Sequence, residues 1–374
     1  MPQPRELRLG TRGSQLALWQ ANRVAAEIAA RGGPTSRIVV IKTSGDRLQD
    51  APLSEVGGKR LFVKEIEDAL LRGEIDLAVH SSKDMPAVLP EGLVIGAVLP
   101  REDPRDAVVL PAGLMDEIRA HVDAVRLKAD TTRADVDADI DAVRLKADTT
   151  NADVADVVSG FSRTIKTVDE LVALLGRSPS IGTGSVRRIA QLSRLFPGAR
   201  FTPIRGNLDT RLRKLDSGEH DALILAAAGL RRLGFASRIT FTLPVKACVP
   251  APGQGIVAVE IRGDDEPVRQ AVAVIDDAEA SSALAAERTL VEALGGGCQT
   301  PLGALASLDG DELELVAAVV ALDGSRAIQA QGRGPRADAE ELGRRVAADL
   351  LADGAGDLLA DAQRVPGAMQ GLQP

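Results

Sequence analysis

Short apolar stretches in this chain run repeatedly into a loop bearing glycine, serine or arginine, and out again into a helix-period pattern. "LRLGTRGSQLALWQANRVAAEIAA" (Leu7–Ala30) comes first, with Ser14 placed to cap its helix. "IDLAVHSSKDMP", "SIGTGSVRRIAQLSRLF" and "ARFTPIRGNLDTRLRKLDSGEHDALILAAAGLRRLG" keep the same grammar. Such alternation restricts the fold to α/β layers around mostly parallel sheets. In those sheets ligands gather at loops beyond the carboxyl ends of the strands. "LFVKEIEDALLRGEI" is a predicted helix closed by Gly73, and "TVDELVALL" carries a capping box, Thr167 with Glu170. Proline-rich "LPVKACVPAPGQG" reads as a crossing segment ahead of a strand, "IVAVEI". From about Ser281 the pattern changes. A helix, "SSALAAERTLVEAL", ends in a glycine run, then strands "ELELVAAVVAL" and "AIQAQG" precede two helices, which reads as a separate α+β domain.

Composition narrows the function. The 374 residues suffice for two or three domains. A net charge of −8 argues against a general nucleic-acid binder, and 2% aromatics without tyrosine leaves no base-stacking platform. No apolar run is long enough to span a bilayer. "MPQPRELRLG" has no apolar signal segment, so a cytoplasmic location and no membrane contact are expected. Two cysteines make a disulfide framework improbable in that setting. Three histidines (His80, His121, His220) and no C-x-x-C pair point to no metal site.

Arginines nevertheless recur in the loops. "GTGSVRR" places Thr183 and Ser185 at a helix start, followed by Arg187 and Arg188. "IRGNLDTRL" repeats the logic, with Arg205 at a strand end, Asn207 as a cap and Arg211 one turn in. Arg232, and Arg12 with Ser14, extend it. Several guanidinium loops in an acidic chain point to a small ligand with several carboxylates. Lys83 and Asp84 follow a buried strand, as a poised acid/base or as an ordinary surface pair. Lys59 and Lys64 read as solvated lysines. Cys248 reads as a buried small hydrophobe. Cys298 follows three glycines in "EALGGGCQTP", either buried like Cys248 or a reactive thiol that the glycines let a ligand approach.

One segment breaks the pattern. "DAVRLKADTT" occurs at Asp123–Thr132 and again at Asp141–Thr150, 18 residues on. From Asp116 to Asp156 there are eleven acidic and six basic residues, so this stretch alone supplies −5 of the net charge. It reads as a surface insertion. A partner-docking helix with Val136, Ile140 and Val143 on one face is the alternative.

Taken in order, "LGTRGSQLALWQ", "KTSGD", "GGKRLFVKE", "DLAVHSSKDMP", "REDPRDA", "IGTGSVRRIAQL", "IRGNLDTRL", "DALILAAAGLRRLG", "APGQG" and "EALGGGCQTPLGA" closely resemble the porphobilinogen deaminase (hydroxymethylbilane synthase) family. They span Arg8–Ala304 apart from roughly residues 111–166. The resemblance implies an α/β fold of two periplasmic-binding-protein-like (type II) lobes with a central cleft, plus a smaller C-terminal α+β domain. Lobe 1 would comprise 1–104 and about 256–275, lobe 2 105–255 with the insertion at about 111–166, and the third domain 276–374. It implies a monomeric transferase that joins four porphobilinogen units, releases ammonia and hydrolytically frees linear hydroxymethylbilane, a product handed to uroporphyrinogen-III synthase. It implies a dipyrromethane cofactor on Cys298 through a thioether, and Asp84 as the catalytic carboxylate. It implies cofactor contacts from Lys83, Ser81, Thr183, Ser185, Arg187, Arg188, Arg205, Asn207 and Gln254, and substrate contacts from Arg12, Ser14, Gln20, Arg211 and Arg232. A non-catalytic two-lobed carboxylate-binding protein also fits the arginine loops, but not Cys298 or the third domain. The insertion leaves every matched motif intact. Replacing Leu114–Gly160 by a short linker is therefore expected to leave turnover within a few-fold; a folded but inactive deletion would show that the segment takes part.

Overall fold

The computed structural model describes residues 6–44, 63–114, 165–296 and 300–364. The chain opens with β1 (Leu7–Thr11), α1 (Gln15–Ala30), β2 (Ser36–Val40), α2 (Lys64–Leu71), β3 (Leu77–Ser81) and β4 (Leu93–Val98). It then crosses to β5 (Asp106–Val109), α3 (Val168–Leu175), β6 (Ser180–Gly182), α4 (Val186–Leu192), β7 (Arg200–Thr202), α5 (Leu208–Asp216), β8 (Ala222–Ala226), α6 (Ala227–Arg232) and β9 (Phe241–Thr242). A second crossing leads to β10 (Val257–Arg262) and α7 (Glu266–Ala273). The third unit holds α8 (Ala278–Ala293), β11 (Leu302–Asp309), β12 (Glu312–Val320), β13 (Ala327–Pro335), α9 (Ala339–Ala352) and α10 (Ala355–Arg364).

The two large sheets share one plan. Their orders are β2-β1-β3-β10-β4 and β7-β6-β8-β5-β9. In each, four strands point one way and the fourth position is filled by a reversed strand. That strand stands immediately after a crossing: β5 opens the second sheet after the first crossing, and β10 returns to the first sheet after the second. Two chain crossings therefore connect the lobes, as in two-lobed periplasmic-binding-protein-like folds. The alternation predicts mostly parallel sheets; four of the five strands in each do share one direction, but the reversed strand makes two of the four pairings antiparallel, so both sheets are mixed.

Local signals explain the elements around the cleft. Ser14 accepts a hydrogen bond from Ala17 N (3.3 Å) and starts α1, which buries Ala21, Val24 and Ile28 on the core of the first sheet with Leu9 and Leu77. Thr167 and Glu170 form the reciprocal capping box of α3. Gly73 follows α2 at φ +68°, a left-handed conformation that suits glycine. The third unit departs from expectation in one strand. "LGALASLD" is weak strand sequence, rich in alanine and glycine. It becomes β11 because it pairs with β12 from Leu302↔Val319 to Asp309↔Glu312 and buries Leu302, Ala304 and Ala306 with Leu290, Leu342 and Val346. Helix α7, capped by Asp265, is also not anticipated by the sequence reading.

The crossings are fastened to each other and to the third unit. Gly255 sits at φ +89°, where a Cβ would fall 2.2 Å from the Glu102 carbonyl oxygen, so the two strands of the junction pass at backbone distance. Glu102 N donates to Gly255 O (3.0 Å), and Arg101 Nε to Gln254 O (2.9 Å). Glu287 of α8, fully buried, completes the joint. Its carboxylate receives both Nη groups of Arg101 (2.6 and 3.2 Å), Gly253 N (2.6 Å) and Ala306 N (2.7 Å). Removing one member of a buried, fully bonded ion pair strands the other. Glu287→Gln is expected to cost about 3 kcal/mol, read as a lower urea midpoint. An unchanged midpoint would remove Glu287 from the joint's energetics.

Candidate active site

The residues expected to bind ligand sit where α/β physics places them, beyond the carboxyl ends of strands in both lobes. In lobe 1, β3 ends at Ser81 and passes into a single 3-10 turn, Ser82–Asp84. Buried Gln20 of α1 donates to Ser81 Oγ (2.8 Å), locking the strand end to the helix. Asp84 is exposed, and Lys83 behind it reaches Gln254 Oε1 (3.4 Å). Gly253, at φ +73°, lets the second crossing close on this turn: a Cβ there would lie 2.6 Å from Ser82 Oγ and 3.1 Å from Lys83 N. Arg12 follows β1, partly exposed.

Lobe 2 supplies the opposite wall. Thr183 is buried at the end of β6, and its hydroxyl accepts from Ser185 N (3.3 Å). Ser185 caps α4 through Arg188 N (3.5 Å). Asn207 caps α5, accepting from Thr210 N (2.9 Å), as the sequence predicts. Arg211 Nε donates to Gly206 O (2.9 Å), and Arg205 lies partly exposed after β7. Arg232, at the end of α6, donates to Gly255 O (2.6 Å) and packs over the Trp19 ring of α1, 5.6 Å from its centroid. That contact joins the two lobes directly.

One carboxylate, Asp106, holds both of the paired arginines. Arg187 is 4% exposed, and its Nη1 donates to Asp106 Oδ2 (2.8 Å) and Val249 O (2.7 Å). Arg188 gives Nε and Nη2 to Asp106 Oδ1 (3.0 and 2.8 Å) and Nη1 to Ile224 O (2.9 Å). Both side chains are thus anchored inside lobe 2. Gln254 is buried as well, donating to Asp106 Oδ1 (2.9 Å) and Pro104 O (2.6 Å). Asp106, Arg101 and Glu287 carry much of this arrangement, and the sequence reading passes over all three. Only "REDPRDA" hints at the first two. Cys248 is the buried residue expected, donating its Sγ–H to Asp106 Oδ2 (3.4 Å). Burial and Asp106 push its thiol up to about 12, against the pull of Arg187 and Arg188. Cys298, Lys59, His121 and the duplicated decapeptides lie outside the described residues.

Electrostatics show a surplus of positive charge at this junction. Burial alone would raise the Asp106 carboxyl, but Arg187 and Arg188 outweigh it and hold it well below the usual carboxylate range. Lys83 keeps some solvent contact, yet the walls around its ammonium make burial dominant. Burial pushes it down to about 8; Asp84 and Asp106 support the charge, while Arg188 and Arg187 oppose it. Arg211 is lowered by burial and then by Arg188, with Asp84 pulling it back. Burial takes Arg232 down to about 10 against Glu102. These are cations crowded together with too few anions, a donor set that fits a ligand bearing several carboxylates. Dipyrromethane with acetate and propionate arms is such a ligand. Among the described residues no cluster of His, Cys, Asp and Glu could hold a metal ion.

Fold and site together define a two-lobed α/β protein built to hold a polycarboxylate, with one carboxylate, Asp84, exposed among the cations. Its sequence carries the identification further. A family model described as "Porphobilinogen deaminase, dipyromethane cofactor binding domain" matches residues 7–149 and 132–270, two stretches that overlap inside the duplicated segment. "Porphobilinogen deaminase, C-terminal domain" matches 282–352. The porphobilinogen deaminase of Geobacter metallireducens is 41% identical over 359 residues, 96% of this chain and 95% of its own. That of Syntrophobacter fumaroxidans is 41% identical over 361 residues, 96% and 99% respectively. The chain belongs to the porphobilinogen deaminase family.

The lowered Lys83 pKa gives its expected place in the binding wall a pH signature of defined direction. Below about 8 its ammonium is charged, and above that it is lost. A linear polycarboxylate should therefore bind more weakly at pH 9 than at pH 7, and Lys83→Met should flatten that dependence. Isothermal calorimetry at the two pH values checks both; a pH-independent wild type would remove Lys83 from the binding surface.

Proposed function

We propose that this chain is a hydroxymethylbilane-forming transferase. It condenses four porphobilinogen molecules head to tail, releasing one ammonia at each addition, and then frees the linear tetrapyrrole by hydrolysis. The observation that carries the reading is the junction of Lys83, Arg188 and Arg211 with Asp84 beside them. Every porphobilinogen brings an acetate and a propionate, so a growing chain multiplies the carboxylates that fixed cations must hold. Arginine suits that task because it stays charged and can bind in two-point contact.

Asp84 has the chemistry for the reacting centre. Loss of ammonia from porphobilinogen leaves an electrophilic azafulvene with positive charge on the pyrrole nitrogen. A carboxylate beside that nitrogen stabilises the charge and afterwards takes up a proton. Asp84 stands on a short turn fixed from behind by the Gln20–Ser81 hydrogen bond and the close approach of Gly253. Lys83, Ser81, Thr183, Ser185, Arg187, Arg188, Arg205, Asn207 and Gln254 form the cofactor wall in this reading, and Arg12, Ser14, Gln20, Arg211 and Arg232 the substrate side. Arg187, Thr183, Gln20 and Gln254, which are buried, act by fixing neighbours. The dipyrromethane cofactor supplies the free pyrrole end on which addition begins. Cys298 is its attachment point, a thioether that resists hydrolysis. We place the enzyme in the cytoplasm as a monomer that passes its product to uroporphyrinogen-III synthase. No helix among the described residues is long and apolar enough to cross a membrane.

Two measurements test the reading. Intact mass should exceed the sequence mass by one dipyrromethane, and Cys298→Ser should abolish the excess; an unmodified, fully active protein would overturn the assignment. Asp84→Asn keeps shape and loses charge. It should bind porphobilinogen and lose nearly all turnover, at least about a hundredfold. Substantial residual activity would take Asp84 out of the mechanism.

A further inference from the structure

Asp106 stands out because one buried side chain meets both crossings and lobe 2 at once. It opens β5 directly after the first crossing and is fully buried. Oδ1 accepts from Arg188 Nε (3.0 Å), Arg188 Nη2 (2.8 Å) and Gln254 Nε2 (2.9 Å). Oδ2 accepts from Arg187 Nη1 (2.8 Å) and the Cys248 thiol (3.4 Å). Every partner is a donor, so only an ionised carboxylate satisfies the site. Gln254 gives its second amide hydrogen to Pro104 O (2.6 Å). With both N–H groups spent, its Oε1 is the atom left to face Lys83 Nζ (3.4 Å).

We propose that Asp106 is a positioning residue that sets the polarity of a hydrogen-bond chain, Asp106–Gln254–Lys83, and so holds the Lys83 ammonium as a charged donor at the cleft. It does this while anchoring Arg187 and Arg188. The same carboxylate thus fixes cations on both walls: Arg188 directly in lobe 2, and Lys83 of lobe 1 through one amide. The charged groups acting on Lys83 are Asp84 from its own turn, Asp106 from β5, and Arg187 and Arg188 from α4. Of the two anions, Asp84 is exposed and Asp106 is enclosed, so Asp106 is screened less by solvent. An asparagine at 106 would present an NH2 to a ring of donors. The relief open to it is a flipped Gln254, whose NH2 would then confront the lysine. The inference rests on the proposed function only in taking Lys83 as part of the binding wall.

The experiment follows the lysine itself. Whole holoenzyme is acylated with a water-soluble N-hydroxysuccinimide ester across pH 6–11, and Lys83 modification is quantified by peptide mass spectrometry. Asp106→Asn should lower the Lys83 midpoint by at least about one pH unit, a rise in neutral amine of roughly tenfold at pH 6. Asp106→Asn with Gln254→Glu moves the charge one link along the chain and should restore the midpoint. If Asp106→Asn does not fold, Gln254→Met breaks the chain without touching the arginine pairs and should lower the midpoint too. A midpoint unmoved in a folded Asp106→Asn, or in Gln254→Met, overturns the proposal. So does a double variant that leaves the midpoint low. Product formation by the same preparations reports separately on the proposed reaction, so a failed relay and a failed chemistry give different results.

Discussion

Glu287 is the interaction on which the arrangement of the three units depends. It projects from the third unit into the lobe junction and takes hydrogen bonds from the first crossing, the second crossing and β11. A carboxylate with no solvent contact is tolerable only when its oxygens are this fully engaged. The consequence is positional. Gly253 and Gln254 are held at one end by Glu287 and Arg101, and the same two residues brace the Ser82–Asp84 turn and Lys83. Through these contacts the third unit bears on the position of the cleft residues.

A second property follows from how charge is distributed. The protein is acidic overall, yet its junction collects cations and holds them with a small number of buried carboxylates. Asp106 neutralises part of Arg187 and Arg188 while leaving Lys83 and Arg211 short of anions. Small polycarboxylates meet the full local charge.

What the sequence made legible was local. Ser14, Asn207 and Thr167 with Glu170 are caps whose partners lie three residues away, so their signal is contiguous. The strand-loop-helix grammar exposed both lobes and the loops at the carboxyl ends of their strands. What stayed hidden was set by long-range pairing. Asp106 meets Arg187 81 residues on and Gln254 148 residues on, and Glu287 meets Arg101 across 186. Beyond the "REDPRDA" stretch around Arg101 and Asp106, nothing in the neighbouring sequence marks a hub. Arg187 and Arg188 illustrate the same limit: adjacent in one helix, they look equivalent in sequence, and both prove committed to the interior by a carboxylate from another element. β11 was missed for a related reason, its identity coming from eight paired residues of β12 rather than from its own weak propensity.

The Trp19–Arg232 contact has a use beyond holding the lobes. The chain has a single tryptophan, and it lies against the arginine of the opposite lobe. Its emission therefore arises from the seam between the lobes, beside a cation of the opposite lobe. A change in the spacing of the lobes would alter that emission, so the chain carries its own optical label at the seam, readable in solution.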